Sequence, residues 1–378
     1  MRVEKGKTAI AKGRVRIKGE AEVCGASISE FFTEKFVPIY CLDDCEILVE
    51  GECRIVDGCT IPESWKKLAK RDWEVLFLYG GVDVGKSTLA TYLANKLGGC
   101  YILDLDIGQS ELLHPGAMGY GFARNCVNLS QAEYINGYFV GVISPMGKEV
   151  KCIRGVARLW GELKKLEGRK IVNTTGWVRG ARALDYKLAK LEVINPDIVA
   201  SFEDANLEDW NVFRVESGEV VERSREERAK IRMEKYRREL EGSKLVVVDK
   251  SRVSGRFFNG KNIVKDFIED VLEVRVKEVR KGEDFLLILT EEKIEVDSSI
   301  IKSLKMLYEV EDVYVVAMEE LEGLVVGVYR GSKYLGLGVV REFRGEEFVI
   351  ETRHTDFDRI VLGEFGIAQG KEYMLRLP

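Results

Sequence analysis

The chain has 378 residues, of which 46% are hydrophobic and 32% charged, and its formal net charge is −5. This length fits two or three domains, and the acidic balance argues against a protein that coats nucleic acid with its whole surface, while it leaves room for a local basic groove. No apolar run reaches the roughly 20 residues of a membrane span, and the polar start lacks a signal peptide's apolar segment, so we expect a soluble cytoplasmic protein without membrane contact.

Cysteine and histidine usage narrows the chemistry that the chain can perform. The eight cysteines form no Cys-x-x-Cys pair, and the two histidines are His114 and His354, so we do not expect a zinc site. Buried free thiols are a better interpretation of the cysteines than disulfides. With so few histidines, we expect a carboxylate to act as any general base. Abundant Lys and Glu with little Gln are typical of a heat-adapted protein.

Taken in chain order, the hydrophobic patterns predict three domains. Residues 1–60 show short β-type runs separated by glycines, which predicts a small N-terminal β domain. Residues 61–272 alternate strand-like and helix-like segments, which predicts an α/β domain with a mostly parallel sheet. Residues 273–378 are β-rich again and predict a small C-terminal β domain. For the sheet of the central domain we predict strands at 75–79, 101–105, 138–143, 170–174, 197–201 and 244–248, with helices at 86–97, 148–166, 180–192 and 224–241.

A glycine-rich motif follows the first strand of the central domain. Gly80, four residues and then Gly85-Lys86-Ser87 match the P-loop pattern G-x-x-x-x-G-K-S, and a helical segment follows. The glycines allow a tight turn that brings N–H groups onto phosphate oxygens, Lys86 can reach the outer phosphates, and Ser87 can bind Mg²⁺. The alternative is that the motif matches by chance. The preceding strand, the motif and the following helix together argue against this alternative. We therefore predict a P-loop NTPase domain that binds a nucleoside triphosphate through Gly80, Gly81, Val82, Asp83, Val84, Gly85, Lys86, Ser87 and Thr88.

Two aspartates end the second predicted strand of this domain. Asp104 and Asp106 lie where the metal-organising carboxylate of a P-loop protein belongs. At positions i and i+2 of a strand they would share one face, so one could organise a divalent cation together with Ser87 while the other accepts a proton. Gln109 could orient a water or a substrate hydroxyl. The alternative is that both aspartates only solvate the end of the strand.

Three further loops of the central domain follow predicted strands. The loop at 110–122 is either a substrate contact or an ordinary surface connection, and we interpret His114 within it as structural. Ser144-Pro145 could form a rigid turn, although an ordinary connection has the same composition. Thr175 and Trp177 follow a later strand, at the edge where open α/β sheets bind ligands. The Trp ring could stack on a base for roughly 1–3 kcal/mol, and a core Trp beneath a loop is the alternative.

A charged segment near residue 225 carries two arginines of interest. Ser224 and Glu227 have the spacing of a capping box, which predicts a helix that begins at Arg225. Arg223 would then precede the cap and Arg228 would lie in the first turn, so both guanidinium groups could approach one anion. Such groups suit a phosphoryl group in transfer because they are planar, multidentate and always charged. A solvated amphipathic helix is the alternative.

Together these motifs resemble those of the polynucleotide 5′-hydroxyl kinases. This family includes the eukaryotic kinases of tRNA splicing and pre-mRNA 3′-end cleavage, the pre-rRNA-processing kinase and their archaeal counterparts. The order and spacing of the motifs match across the whole central domain. The matching segments are G-G-V-D-V-G-K-S-T at 80–88, D-L-D-I-G-Q at 104–109, P-G-A-M-G at 115–119, N-T-T-G-W-V at 173–178 and V-E-R-S at 221–224.

The resemblance implies transfer of the γ-phosphate of ATP, with Mg²⁺ or another divalent cation, to the 5′-hydroxyl of RNA, with DNA as a further candidate. It also implies a catalytic base, two lid arginines, a base-stacking Trp, and a clasp with a Thr-Pro-Gly core over the P-loop. In this chain the resemblance places the base at Asp106, the lid arginines at Arg223 and Arg228, and the stacking Trp at Trp177. It places the core of the clasp at Ser144-Pro145. The clasp departs from the family pattern, because Ser replaces Thr and the glycine lies one place later, at position 147.

Three alternatives stand beside this interpretation. A GTPase switch requires an Asn-Lys-x-Asp sequence, and the Asn95-Lys96 pair lacks the Asp. Only Trp177 and the lid arginines argue against a small-molecule kinase or ATPase on the same fold. An ATP-bound scaffold of an RNA-processing complex would suit the flanking β domains, but Lys86, Asp106 and the two lid arginines argue against it. The sequence identifies no protein partner.

Overall fold

The computed structural model describes residues 1–219 and 222–378 of the chain, so Val221 of the fifth matching segment lies outside the described residues. The chain divides into two compact units. Residues 1–113, 117–138 and 145–228 form the first unit, and residues 114–116, 139–144 and 229–378 form the second. The predicted domain boundary after residue 272 does not coincide with this division, and the three predicted domains stay a prediction.

The first unit begins with a five-stranded sheet. Its order is β1-β5-β2-β4-β3, and its neighbouring strands run antiparallel. Alternation along the strands buries one face, where Val15, Ile39 and Ile47 pack together. The strands are β1 (Arg2–Val3), β2 (Lys7–Lys18), β3 (Ala21–Val23), β4 (Glu30–Cys41) and β5 (Cys45–Asp57).

A seven-stranded mixed sheet follows, with the order β12-β11-β6-β10-β7-β8-β9. The pairings from β12 to β7 are parallel, and β8 joins β7 antiparallel. The elements are α1 (Glu63–Ala69), β6 (Val75–Tyr79), α2 (Lys86–Lys96), β7 (Cys100–Asp104), β8 (Ala117–Ala123), β9 (Glu133–Phe139), α3 (Glu149–Leu163), β10 (Lys170–Asn173), α4 (Ala181–Ile194), β11 (Ile198–Ser201) and β12 (Val212–Arg214).

The parallel part of this sheet determines where a site can form. Strands β6, β7, β10 and β11 are almost wholly buried, as strands covered on both faces must be. Because these strands are parallel, the loops that follow Tyr79, Asp104, Asn173 and Ser201 all leave the same edge of the sheet. The α/β part of the fold prediction is confirmed, with a mixed sheet.

The second unit contains two further sheets and most of the remaining helices. One sheet has the order β13-β21-β20-β19-β22-β14 with β23 beside β22, and the other has the order β15-β16-β17-β18. The elements after residue 222 are α5 (Arg225–Glu239), β13 (Lys244–Asp249), β14 (Val253–Ser254), β15 (Lys261–Asn262), α6 (Asp266–Leu272), β16 (Val276–Lys281), β17 (Phe285–Thr290), α7 (Ser298–Tyr308), β18 (Asp312–Ala317), β19 (Leu324–Arg330), β20 (Lys333–Phe343), β21 (Glu347–Thr352), β22 (Arg359–Ala368) and β23 (Lys371–Met374).

Two predicted strands differ from the structure. The segment predicted at 244–248 is a strand, but it pairs antiparallel with Glu347–Thr352, so its placement in the parallel sheet is wrong. Its apolar run is the same for either sheet, and only the long-range pairing decides between them. The strand predicted at 138–143 ends at Phe139, because Val140 and Gly141 donate their N–H groups to the carbonyl of Gly116.

The histidine in the predicted loop at 110–122 is a core residue of the second unit. His114 is fully buried, and its ring nitrogens bond to the Pro115 carbonyl and to the Tyr334 hydroxyl. Burial lowers its pKa to about 4. The prediction of a structural His114 is confirmed. The residues that follow it form the buried strand β8, so the loop is not the surface connection that the sequence allowed.

The structure also shows the state of the cysteines and the character of the helices. All eight cysteines are free, and six of them are buried. Among the described residues, no helix has the length and the apolar character needed to cross a bilayer.

Candidate active site

The P-loop joins β6 to α2 in a conformation that requires glycine. Gly85 has a φ of 100° and forms the N-cap of α2. A Cβ at Gly80 would lie 2.9 Å from the Cβ of Phe202, so a larger residue does not fit there. The Lys86 ammonium donates to the Gly80 carbonyl at 3.0 Å and to the Gly81 carbonyl. The lysine therefore lies against its own loop and would have to exchange these bonds for phosphate oxygens.

Three carboxylates act on the P-loop lysine. Burial lowers the pKa of the Lys86 ammonium, and the negative charges of Asp106, Glu203 and Asp83 oppose this shift. Glu203 also accepts a hydrogen bond from the Gly81 N–H group at 2.7 Å, which fixes the start of the P-loop. The motif-based prediction missed Glu203, although its place just after a buried strand at the ligand-binding edge was a usable signal.

Asp104 anchors the loop that follows β7. It is fully buried, and β7 ends there, so Asp106 does not lie on the strand as predicted. The Asp104 Oδ2 atom accepts hydrogen bonds from the Ser110 hydroxyl at 3.0 Å and the Glu111 N–H group at 2.5 Å, and Oδ1 accepts one from the Asn173 amide at 3.1 Å. Burial and the charge of Asp106 raise the pKa of Asp104 to about 6. Asp104 is therefore not a solvating group.

Asp106 is half-buried in the loop and has a different environment. Its Oδ1 atom accepts hydrogen bonds from the N–H groups of Gly108 at 3.1 Å and Gln109 at 3.0 Å. Within residues 1–219 and 222–378, its Oδ2 atom accepts no hydrogen bond. One carboxylate oxygen thus orients the side chain and the other is free for substrate. The predicted role of the Gln109 side chain in substrate binding stays a prediction.

Ser87, Asp104 and Asp106 are the residues predicted to hold a divalent cation. No group of three or more His, Cys, Asp or Glu side chains within the described ranges has the geometry of a metal site. Asp104 already uses both oxygens within the protein, which leaves Ser87 and Asp106 as oxygen donors. The buried Asn173 Oδ1 atom has no hydrogen-bond donor in the described part of the chain and suits a bound water. This set fits Mg²⁺, which keeps several waters and takes few protein ligands.

The loop after β10 packs directly on the P-loop. A Cβ at Gly176 would lie 2.6 Å from the backbone N of Val82, so only glycine permits this approach. Lys187 on α4 holds the same loop by donating to the Thr174 hydroxyl at 2.7 Å and to the Thr175 carbonyl at 2.5 Å. Thr175 is itself buried. The predicted substrate residue Thr175 is therefore part of a tightly held loop beside the P-loop.

Trp177 lies at the end of this loop, and its side chain is only half-buried. One face of the ring packs on Tyr186, with 5.9 Å between the ring centroids. Because Trp177 is not fully buried, the core-Trp alternative loses support. A partly exposed aromatic residue that a second ring holds in place can stack on a nucleotide base.

Two fully buried lysines on α4 are functional candidates that the sequence interpretation missed. Lys187 forms the hydrogen bonds described above, whereas the Lys190 ammonium has no hydrogen-bond partner among the described residues and lies 4.0 Å from the Tyr186 ring centroid. Burial lowers the pKa of Lys190 to about 8 and that of Lys187 well below its usual value. Lys187 and Lys190 share the buried face of α4 with Ala183 and Leu191. Because lysine rarely occupies the apolar side of a helix, this helical spacing was a usable signal in the sequence.

We expect Lys190→Met to remove a pH dependence of stability. Because the folded pKa is depressed, the unfolded chain binds an extra proton between about pH 8 and 10.5, so Lys190 makes the wild type lose stability as the pH falls through that window. Denaturant unfolding at pH 8 and 10.5 should show a smaller loss for Lys190→Met than for the wild type. The matched variant Lys187→Met should be destabilised by about 1–3 kcal/mol, because it leaves buried hydrogen-bond acceptors unpaired. An unchanged pH dependence in Lys190→Met would show that its ammonium is solvated.

The predicted helix start near residue 225 is confirmed. Helix α5 begins at Arg225. The Glu227 N–H group donates to the Ser224 hydroxyl at 3.1 Å, and the Ser224 N–H group donates to the Glu227 carboxylate at 2.7 Å. These reciprocal bonds form the predicted capping box.

The two predicted lid arginines converge on one carboxylate of the P-loop. An Nη2 atom of Arg223 lies 2.6 Å from the Asp83 carboxylate, and one of Arg228 lies 3.9 Å from it. Both guanidinium groups are only partly exposed. The predicted geometry, in which both arginines approach one anion, is therefore present in the structure. This pairing argues against the alternative of a freely solvated helix end.

The two predicted clasp residues fall into different units. Pro145 is buried in the first unit, and its carbonyl accepts a hydrogen bond from the Lys148 N–H group at 2.8 Å. Ser144 is exposed and belongs to the second unit. Pro145 thus begins a tight turn before α3, and the assignment of both residues to a clasp stays a prediction.

Comparisons with known proteins show which family the chain resembles. Residues 80–242 match the family model described as the mRNA cleavage and polyadenylation factor CLP1 P-loop. A polyribonucleotide 5′-hydroxyl-kinase of Methanocaldococcus jannaschii is 30% identical over 307 residues, which are 75% of this chain and 82% of that protein. One of Pyrococcus furiosus is 28% identical over 306 residues, which are 74% of this chain and 84% of that protein.

A likeness to solved structures extends over nearly the whole chain. A solved structure of a wild-type Clp1p–Pcf11p complex contains a chain that superposes with a TM-score of 0.64 and 13% sequence identity, and the match covers 97% of each chain. At this level of identity the likeness concerns the fold alone.

Proposed function

The chain belongs to the family of the polyribonucleotide 5′-hydroxyl-kinases, and from that premise we propose that it transfers the γ-phosphate of ATP to the 5′-hydroxyl end of RNA, with DNA as a second candidate substrate. The observation that carries the proposal is the position of two lid arginines, which both lie against the Asp83 carboxylate of the P-loop. A phosphoryl group in transfer spreads its negative charge over three oxygens, and paired guanidinium groups stabilise that charge.

The residues of the site suggest how the transfer proceeds. The free Oδ2 atom of Asp106 accepts the proton of the 5′-hydroxyl, whose oxygen forms the new bond to the γ-phosphorus while the bond to the β,γ-bridging oxygen breaks and ADP leaves. Lys86 exchanges its carbonyl partners for phosphate oxygens. Arg223 and Arg228 stabilise the charge on the transferred group. The N–H groups of the P-loop and the N-terminus of α2 hold the remaining phosphates.

The divalent cation is part of this proposal. Ser87 would hold Mg²⁺ directly and Asp106 would hold it through one of its waters, with Asp104 fixing the loop that carries Asp106. Bound Mg²⁺ neutralises charge on the β- and γ-phosphates. Because Asp104 is buried and hydrogen-bonded, it contributes through the position of that loop and not as a ligand.

We further propose that the flanking β-rich parts, residues 1–60 and 273–378, are separate domains around a kinase domain of residues 61–272. In support of the first boundary, the strands before residue 60 form a sheet of their own. An ion pair connects this sheet to the catalytic loop, because Lys35 lies 2.5 Å from Glu111 in the loop that Asp104 anchors. The N-terminal domain would thereby support the catalytic loop.

Replacing Trp177 should weaken substrate binding more than it slows the chemical step. Trp177→Ala removes a stacking surface worth about 1–3 kcal/mol, so we expect the KM for a 5′-hydroxyl oligonucleotide to rise roughly 5- to 100-fold, with a smaller change in kcat. Steady-state kinetics with varied oligonucleotide measures both. Trp177→Phe keeps an aromatic ring and should recover most of the loss. A lower kcat at unchanged KM in both variants would contradict the stacking role.

The proposal is tested by transfer of labelled γ-phosphate from ATP to two oligonucleotides of the same sequence, one RNA and one DNA, each with a 5′-hydroxyl. We expect transfer to RNA, and the ratio of the two rates defines the preference. Tight nucleotide retention without transfer to either oligonucleotide would contradict the proposal and support the scaffold alternative. Transfer to neither, with efficient phosphorylation of mononucleosides, would support a small-molecule kinase.

A further inference from the structure

Asp83 is a P-loop residue whose side chain is directed at the lid. Its backbone lies in the left-handed region with a φ of 56°, and its side chain is only 9% exposed. One carboxylate oxygen accepts a hydrogen bond from the backbone N–H group of Arg223 at 3.1 Å, and the other accepts one from the Arg223 guanidinium at 2.6 Å. Main chain and side chain of the same arginine are thus bound to one carboxylate.

The second lid arginine depends on the first. The Arg228 guanidinium donates to the carbonyl of Arg223 and, through Nε, to the carbonyl of Ser224 at 3.3 Å. Its distance of 3.9 Å from the Asp83 carboxylate makes it the looser of the two ionic contacts. The position of Arg228 is therefore set by the chain segment that Asp83 holds.

We propose that Asp83 is a positioning residue that holds the lid arginines beside the phosphate site and so supports the transfer step. This inference rests on the proposed kinase function. It assigns to Asp83 a task distinct from lining the nucleotide site.

Charge supports this assignment. A carboxylate in a loop that binds phosphates repels its ligand unless cations neutralise it. Asn would adopt the left-handed backbone of this turn as readily as Asp, so the turn alone does not require a negative charge. The two arginines supply the neutralisation, and the pair of oxygens allows contacts with the N–H group and the guanidinium at once. The Asp83 carboxylate is thus suited to bind the lid arginines and not to bind phosphates.

The rate of transfer should be sensitive to small shifts of the two arginines. A shift of about 1 Å in a group that stabilises the transition state can cost on the order of 100-fold in rate. Losing the Asp83 carboxylate would release both arginines together, because the hydrogen bonds of Arg228 go to the carbonyls of Arg223 and Ser224, and its ionic contact with the P-loop is with Asp83 itself.

A double-mutant cycle with Asp83→Asn and Arg223→Ala tests the inference. We expect Asp83→Asn to lower kcat about 10-fold or more with little change in the KM for RNA. In the Arg223→Ala background, the same change should cost clearly less than in the wild type, because the guanidinium contact is gone and only the N–H contact of residue 223 and the looser contact with Arg228 remain. Additive losses, or a kcat for Asp83→Asn at or above that of the wild type, would overturn the inference. The latter result would indicate that Asp83 restrains the lid.

A second readout does not depend on activity. Limited trypsin digestion of the full chain should cut after Arg225, which is exposed beside the held segment, faster in Asp83→Asn than in the wild type. Equal cutting rates would show that Asp83 does not hold the lid, even if the enzyme were inactive. A wild type that transfers no phosphate but shows the expected difference in cutting would contradict the kinase function and leave the Asp83–lid contact supported.

Discussion

Asp106→Asn should lower kcat for transfer to a 5′-hydroxyl by at least about 100-fold, the range that general-base catalysis supplies. The substitution keeps an oxygen that can accept the hydrogen bonds from Gly108 and Gln109, so we expect the loop to keep its shape. It removes the ability of the side chain to take a proton. The variant therefore separates the chemical role of Asp106 from its structural one.

Rapid-quench kinetics with saturating ATP and RNA measures this loss at the chemical step. Asp72→Asn is the matched control, because Asp72 is exposed and precedes β6 at the opposite edge of the same sheet. The control should retain the activity of the wild type. A fully active Asp106→Asn enzyme would rule out Asp106 as the base.

Lys86→Ala should abolish transfer almost completely, with a loss of about 100- to 1,000-fold or more, as expected when a preorganised donor to a developing charge is removed. The buried ammonium of Lys86 is held against the Gly80 carbonyl at 3.0 Å, within the loop that binds phosphates. An Ala side chain supplies neither the charge nor the reach. Nucleotide binding should weaken less than transfer does, because the backbone N–H groups of the loop are unchanged.

Equilibrium binding of labelled ATP and single-turnover transfer together measure this difference. Lys96→Ala is the matched control, since Lys96 lies at the other end of α2 and forms a partly exposed ion pair with Glu22 at 2.6 Å. It should keep both binding and transfer. Substantial transfer by Lys86→Ala would show that the P-loop lysine does not act on the γ-phosphate.

Local motifs made the core of the site predictable from the sequence. The P-loop glycines and the capping box of Ser224 and Glu227 are short-range patterns with a direct geometric meaning, and the structure confirms the strand, the helix and the cap that they predict. The convergence of Arg223 and Arg228 on one anion also followed from their positions relative to the cap. Such predictions succeed because neighbouring residues determine the geometry.

Long-range pairing was the part that the sequence did not reveal. The strand Lys244–Asp249 has an apolar run that suits either sheet, and its pairing with Glu347–Thr352 brings together residues about a hundred positions apart. The distinct environments of Asp104 and Asp106 depend on where β7 ends and on the partners that the next loop supplies. Lys187 and Lys190 were missed because a motif search does not examine charged residues on the buried face of a helix.

Product analysis with matched RNA ends tests the central claim most directly. One RNA carries a 5′-hydroxyl and the other, of the same sequence, carries a 5′-phosphate, and each is incubated with the full chain and γ-labelled ATP. We expect label at the end of the first RNA, none on the second, and little release of labelled inorganic phosphate with either. Equal release of inorganic phosphate with both RNAs and no labelled end would contradict a 5′-hydroxyl kinase and indicate an ATPase.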